Sequence, residues 1–82
     1  DASLFHFDLY RLGDPEELEY MGIRDYFDSA SICLIEWPIK GRGFLPEADL
    51  VLTFSPLNNG RSVNITSNTP RGERALQILS EA

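Results

Sequence analysis

The chain has little of several residue types that support specialised chemistry or architecture. Its 82 residues include one cysteine, one histidine, one tryptophan and one methionine. The lone Cys33 cannot form an intramolecular disulfide, which favours a reducing, cytosolic compartment. No apolar run approaches the roughly 20 residues of a membrane-spanning helix, and no signal-peptide pattern is present. We therefore expect a cytoplasmic protein with no membrane segment.

Positive charge is also scarce. Lysine and arginine number 7 against 13 acidic residues, so the net charge is −6. Non-specific binding to nucleic acid phosphates or to anionic membranes is therefore disfavoured. A hydrophobic fraction of 43% is typical of a folded domain and too high for a disordered chain. The length allows one domain at most, so we expect a single module over residues 1–82. Because a strand pattern begins almost at Asp1, we also expect this module to be a piece of a larger domain.

The first half of the chain has a strand–helix–strand pattern. Residues 4–9 and Ser31–Glu36 are apolar on both faces, as in parallel strands buried between helices. Residues 14–21 carry a helix start, with Asp14 able to cap and Pro15 suited to the first helical position. Gly22 would end this helix, and residues 23–28 can pack as one more helical turn. Residues 40–43, Lys-Gly-Arg-Gly, predict a flexible basic loop.

The second half predicts a hairpin and a helix. Residues 50–54 and 62–66 flank Asn58-Asn59-Gly60, the signature of an antiparallel hairpin. Alternation in the second strand buries Val63 and Ile65. A final helix begins near Pro70, after a cap at Asn68 or Thr69, and has one apolar face formed by Ala75, Leu76, Ile78, Leu79 and Ala82. The predicted fold class is α/β, with a β-α-β part of a sheet followed by an antiparallel hairpin and a C-terminal helix.

Asp8 and Glu36 each interrupt the end of an apolar strand. A carboxylate is costly to bury without a partner, and open α/β sheets bind their ligands at the carboxyl ends of strands. Two such oxygens near one point suit Mg²⁺. Alternatively, one carboxylate holds the metal while the other orients water, or the two act as a glycosidase-like acid and base. Asp8 could also just begin a turn while Glu36 is solvated.

Three further residues, His6, Trp37 and Arg61, each have a functional and a purely structural interpretation. His6 shares a strand face with Asp8 and could bind Asp8 or a ligand, or satisfy a polar contact in the core. Trp37 could stack on a nucleobase or cover a core edge. Arg61 could contact phosphate or base, or be a surface charge.

Taken together, four stretches resemble a known family. They are His6-Phe7-Asp8-Leu9-Tyr10-Arg11-Leu12, Pro15-Glu16-Glu17-Leu18-Glu19, Met21-Gly22-Ile23-Arg24-Asp25-Tyr26-Phe27 and Ile32-Cys33-Leu34-Ile35-Glu36-Trp37-Pro38. All four are similar to the C-terminal half of the TsaE (YjeE) family, bacterial P-loop ATPases required for threonylcarbamoyladenosine (t6A) modification of tRNA. The resemblance covers essentially the whole chain and is densest between Phe5 and Pro38.

The resemblance implies a function and site residues. The family hydrolyses ATP and supports the TsaB–TsaD pair, so tRNA would be involved only indirectly. Asp8 resembles a Walker-B-like acid that acts through Mg²⁺, and Glu36 resembles a metal ligand or catalytic base. Trp37 resembles a tryptophan close to the nucleotide, and Arg61 matches a position that contacts ATP. Ile39 lies at a nucleotide-lining position where many members carry Glu or Gln, so an apolar or backbone contact is expected there.

One family motif is absent from these 82 residues. Gly-x-x-x-x-Gly-Lys-[Ser/Thr], which cradles phosphates, does not occur. Residues 41–43, Gly-Arg-Gly, lack the lysine–hydroxyl ending and are not expected to open a helix. We therefore expect this polypeptide alone neither to bind nucleotide tightly nor to hydrolyse it. The alternative function is a non-catalytic protein-interaction fragment that docks through an acidic surface or an exposed sheet edge.

Overall fold

The computed structural model describes residues 3–81, which fall into two compact units, one ending at Pro46 and the other beginning at Glu47. The first unit is built on a parallel pair of strands. Its elements in chain order are β1 (Ser3–Asp8), α1 (Glu17–Tyr20), a 3-10 helix (Ile23–Tyr26), β2 (Ser31–Glu36) and a second 3-10 helix (Pro38–Gly41).

The helix α1 is shorter than the sequence predicts. Asp14 does cap the turn, accepting a hydrogen bond from the Glu16 backbone N–H at 2.9 Å. Successive backbone bonds then span three residues, beginning with Glu17 N–H to the Asp14 carbonyl at 2.9 Å, so the segment before Glu17 winds as tight turns. Gly22 ends the helix at a φ of 70°, a conformation that glycine adopts without steric cost.

The core of the first unit is small. Leu9, Leu18 and Ile23 are buried, and the apolar residues packed against them are Phe7, Leu12, Phe27, Ile35, Phe44 and Leu45. The predicted flexible loop is partly wrong, because Pro38–Gly41 forms a 3-10 helix and Gly41 is buried. A Cβ on Gly41 would lie 2.8 Å from Leu18 Cδ1. This close approach fixes the segment that follows Glu36 against the core.

Within the first unit, the described residues cover only one face of the β1–β2 pair. On that face the Phe5 and Phe7 rings meet Tyr26 edge-on, with centroids 4.8 and 5.3 Å away. On the other face Leu4 is 65% exposed and Leu34 is 53% exposed. The prediction of strands buried on both faces is therefore wrong for this part of the chain, because the helical segments pack on one side.

The second unit contains the predicted hairpin. The strands β3 (Leu50–Leu57) and β4 (Gly60–Ser67) pair antiparallel, and Leu57 in register with Gly60 leaves Asn58 and Asn59 as the turn. Ile65 is half-buried as expected. Val63 is 48% exposed, so its predicted burial is wrong. The last helix lies against the Ser67 end of β4, which leaves Val63, nearer the turn, uncovered.

The last helix, α2 (Pro70–Ser80), begins as predicted with Thr69 as its cap. Thr69 Oγ1 accepts a hydrogen bond from the Gly72 N–H at 3.0 Å and donates one to Asp49 Oδ1 at 2.6 Å. Of the predicted apolar face, Leu76 is half-buried, Ile78 and Leu79 are exposed, and Ala82 lies outside the described residues. The predicted α/β class, with a parallel pair, a hairpin and a C-terminal helix, is confirmed. Within residues 3–81, no helix is long and apolar enough to cross a membrane.

Candidate functional site

Asp8 and Glu36 lie side by side at the carboxyl ends of neighbouring parallel strands. Their Cα atoms are register partners, five positions along from the pair Ser3 and Ser31 that begins the ladder. Adjacent strands are about 4.8 Å apart and register partners project to the same face. The two exposed carboxylates therefore share one face and one end of the sheet, which is the juxtaposition that the sequence leads us to expect. Their catalytic and metal-binding roles stay predictions.

Each carboxylate has one oxygen in a hydrogen bond. Glu36 Oε2 lies 2.6 Å from His6 Nε2, and Asp8 Oδ1 accepts a bond from the Tyr10 backbone N–H at 3.1 Å. Asp8 therefore also begins a turn, as the plainer interpretation of the sequence holds. Among the hydrogen bonds of residues 3–81, none uses Glu36 Oε1 or Asp8 Oδ2, so one oxygen of each group is available to a ligand.

His6 has a partner that the sequence did not reveal. From sequence, His6 could bond to Asp8 or to a ligand, or make a polar contact in the core. In the structure the histidine is exposed and bonds to Glu36. His6 is in register with Leu34, so Glu36, two residues after Leu34, lies diagonally across from it on the same face. This contact depends on strand order and register, and strand patterns alone do not give either.

Trp37 stands at the exit of β2 in an unusual backbone conformation. Its φ of 58° and ψ of 51° are left-handed, and it is the one non-glycine residue with positive φ among those described. A left-handed residue costs about 1–2 kcal/mol, and the following Pro38 further restricts it. Such strain often marks functional sites.

The Trp37 side chain is exposed beside a second aromatic ring. Trp37 is 51% exposed and Tyr10 is 56% exposed, and their ring centroids lie 5.0 Å apart with a 54° angle between the planes. Tyr10 lies two residues after Asp8, and Trp37 lies one residue after Glu36. An exposed aromatic pair is therefore built by the residues that closely follow the two carboxylates in the chain. Sequence reasoning missed Tyr10 as part of this group, although its place at the strand exit was the available signal.

The remaining predicted residues lie in different places. Ile39 belongs to the 3-10 helix after Trp37 and is 57% exposed, so it can offer an apolar contact. Arg61 belongs to the second unit, where it is exposed next to the hairpin turn and in register with Pro56. The site described by contacts and register thus consists of residues of the first unit.

Cys33 is separate from this group. It follows Ile32 and precedes Leu34, so it projects to the opposite face from the carboxylates, and its thiol donates to the Tyr26 carbonyl at 3.3 Å. Burial and, to a lesser degree, the Asp28 carboxylate raise the pKa of the Cys33 thiol. Since the thiolate is the reactive form, these features disfavour Cys33 as a nucleophile.

The described part of the chain contains no group of three or more His, Cys, Asp or Glu side chains placed to hold a metal ion. A fully protein-built metal cage, as in structural zinc sites, is therefore not formed by residues 3–81. Mg²⁺ sites differ, because they commonly use one or two carboxylates and complete the shell with water and phosphate. A carboxylate pair such as Asp8 and Glu36 matches that second type.

Comparison with known proteins agrees with the resemblance drawn from the sequence. The family model for threonylcarbamoyl adenosine biosynthesis protein TsaE matches residues 1–63. A Haemophilus influenzae protein named tRNA threonylcarbamoyladenosine biosynthesis protein TsaE is 51% identical over 94% of this chain and 49% of its own length. Proteins of the same name from Borreliella burgdorferi and Bacillus subtilis are 38% and 31% identical, over 77% and 94% of this chain and 47% and 48% of their own lengths. The chain thus spans about half the length of the curated relatives it matches. Because the family model covers well over half of its residues, the chain belongs to the TsaE family.

Proposed function

We propose that this chain supplies the acidic half of an ATP-hydrolysing site in a protein that takes part in t6A modification of tRNA. The observation that carries the proposal is the register of Asp8 with Glu36 at the carboxyl ends of two parallel strands. That location is where α/β sheets bind phosphate-bearing ligands. Membership of the TsaE family, whose relatives are named for t6A biosynthesis, supports the choice of pathway.

The donor atoms fit Mg²⁺. Asp8 and Glu36 each offer one carboxylate oxygen that is not used in the hydrogen bonds described, and hard oxygen ligands are those that Mg²⁺ prefers. These two residues would hold the ion directly or through water. When bound with ATP, Mg²⁺ neutralises charge on the phosphates during phosphoryl transfer. A carboxylate that is not a ligand would orient the attacking water.

The residues around the carboxylates suit a nucleotide. The exposed rings of Trp37 and Tyr10 offer flat surfaces on which a base can stack, and Ile39 offers an apolar contact nearby in sequence. For Arg61, a residue of the second unit, the family resemblance alone suggests a charge-assisted hydrogen bond to ATP. These assignments extend the family resemblance to the positions that match it.

The phosphate cradle is the part these 82 residues do not contain. Without the backbone N–H groups and lysine of a P-loop, little offsets the repulsion between ATP and a chain of net charge −6. We expect the isolated polypeptide to show no micromolar ATP affinity and no turnover. Trp37 fluorescence titrated with ATP and Mg²⁺, together with a phosphate-release assay, measures both. Micromolar affinity, or turnover that is lost in Glu36→Gln, would contradict this expectation.

The pathway is tested by a hybrid protein. The matched stretch of the Haemophilus influenzae relative is replaced by this chain, and the hybrid is expressed in the cytoplasm of cells that lack their own copy. We expect t6A in total tRNA, measured by mass spectrometry, to be restored through cooperation with the TsaB–TsaD pair. Glu36→Gln in the hybrid should abolish the restoration, while Glu47→Gln, an exposed acid of the second unit, should not. A folded hybrid that restores no t6A would refute the proposed pathway.

A second candidate function is non-catalytic association with another protein. The observation that favours it is the exposed apolar face of β1 and β2, where Leu4, Ile32 and Leu34 are 65%, 50% and 53% exposed. Light scattering on the purified chain measures whether it associates, and the t6A assay on the hybrid measures the proposed ATPase function separately. A stable assembly that Leu34→Glu disrupts, in a hybrid that still restores t6A, would assign that face to association and leave the carboxylates to ATP hydrolysis.

A further inference from the structure

His6 and Glu36 are brought together by the parallel register. Leu34 is the register partner of His6, and Glu36 is the register partner of Asp8, so His6 faces Glu36 on the diagonal of the same sheet face. The distance from Nε2 to Oε2 is 2.6 Å, slightly shorter than the usual range for nitrogen–oxygen hydrogen bonds, and charged acceptors shorten such bonds.

The chemistry of the two groups fixes the direction of this bond. An ionised carboxylate has no hydrogen and can only accept. Nε2 must therefore carry the hydrogen and donate it, whether the imidazole is neutral or charged. Glu36 Oε2 is occupied by this bond, and Oε1 is the oxygen left for a ligand.

Without the His6 donor, none of the hydrogen bonds described for residues 3–81 would hold the Glu36 carboxylate in one position. Its side chain is 60% exposed and has several freely rotating bonds, so it would sample many rotamers. Its direct neighbour across the strands is Asp8, and like charges in register repel each other. The His6 donor opposes both effects because it holds one oxygen of Glu36 in place.

We propose that His6 is a positioning residue for Glu36. Its imidazole orders the carboxylate next to Asp8, so that a cation or a water molecule meets two oxygens whose positions are already set. The ordering itself is independent of the proposed ATPase function, whereas its consequence for a bound cation rests on that function. Residues that orient a metal ligand in this way strengthen metal binding by about 10- to 100-fold.

The first measurement tests the ordering without any metal. NMR relaxation of the Glu36 side-chain methylenes is compared in the wild-type chain, His6→Phe and His6→Gln, because the glutamine amide can still donate. Leu4→Ala, which changes an exposed residue of the same face, is the matched control. We expect Glu36 to be ordered in the wild type, His6→Gln and Leu4→Ala and mobile in His6→Phe. Backbone spectra verify that each variant is folded. Equal order of Glu36 in His6→Phe and the wild type would overturn the proposal.

The second measurement uses Mn²⁺ as a paramagnetic probe in place of Mg²⁺. We expect broadening of the signals around Asp8 and Glu36, an affinity about tenfold lower in His6→Phe, and an affinity close to that of the wild type in His6→Gln. Unchanged or tighter Mn²⁺ binding in His6→Phe would refute the positioning role toward a cation. A wild-type chain that takes up no Mn²⁺ would count against the proposed metal site, and the positioning role would then be decided by the relaxation data alone.

Discussion

Replacement of Gly72 by alanine sets two physical effects against each other. Within a helix, alanine is favoured over glycine by about 1 kcal/mol, so propensity alone predicts a more stable protein. In this structure, however, a Cβ on Gly72 would collide with the Asp49 carbonyl oxygen and lie 2.7 Å from its carbonyl carbon. Because the obstacle is backbone, no side-chain rotation can relieve it.

The loss of stability in Gly72→Ala follows from the hydrogen bonds that join the start of α2 to Asp49. Moving the helix away would break the bond from Asn68 N–H to the Asp49 carbonyl at 3.0 Å and that from Thr69 Oγ1 to Asp49 Oδ1 at 2.6 Å. It would also disturb the cap between Gly72 N–H and Thr69 at 3.0 Å. At about 1 kcal/mol each, these bonds outweigh the gain in propensity. We expect Gly72→Ala to lower the free energy of unfolding by about 2 kcal/mol.

Urea unfolding followed by far-UV circular dichroism measures this change, and hydrogen exchange of the α2 amides locates it. The matched control is Gly60→Ala, because no atom lies within 4 Å of a Cβ built there, and its effect should stay within about 0.5 kcal/mol. A Gly72→Ala variant as stable as the wild type, or more stable, would refute the close packing of α2 on Asp49.

Three further predictions concern the first unit. Leu18 is fully buried, so Leu18→Ala should lower the free energy of unfolding, measured in urea, by about 2–5 kcal/mol. Tyr20→Ala, at an 86% exposed site, should change that free energy little. Trp37→Gly should be more stable than Trp37→Ala by about 1 kcal/mol in thermal unfolding, because glycine adopts a left-handed φ freely; equal stabilities would contradict that backbone conformation. Burial, with a smaller contribution from Asp28, raises the pKa of Cys33, so the folded state favours the protonated thiol. Stability from this source is therefore present below the thiol pKa of the unfolded chain and lost as pH rises through the folded pKa. Cys33→Ala should lack this alkaline slope, and the wild-type thiol should react more slowly with a disulfide reagent when folded than in urea.

The elements of the fold could be predicted from sequence because their signals are local. The strand Ser31–Glu36 is indicated by its run of apolar residues, and the cap of α2 at Thr69 by a capping side chain followed by a proline; these signals act within a few residues. Burial was harder to predict. Val63 lies at an alternating apolar position and Leu34 in a continuous apolar run, and both patterns predict burial. Both residues are nevertheless exposed, because burial depends on which neighbouring segment packs there.

In the candidate site, too, local features could be predicted from sequence and contacts between distant residues could not. Sequence patterns located Asp8 and Glu36 at strand ends, and strand adjacency was a hypothesis that the register supports. The bond from His6 to Glu36 and the approach of Tyr10 to Trp37 were not predictable, because both link residues about thirty positions apart in the chain. The roles of these residues toward ATP are predictions that come from the family resemblance.

The ladder between β1 and β2 has a consequence for errors in folding. Side chains alternate between the two sides of a strand, so a slip of one position would carry Glu36 to the side where Phe5 and Phe7 pack against Tyr26. An ionised group would then be forced among aromatic rings, and the histidine would lose its acceptor. A slipped pairing would therefore be less stable, and it would lack the hydrogen bond between His6 and Glu36. That bond can serve as a spectroscopic marker of correctly aligned protein.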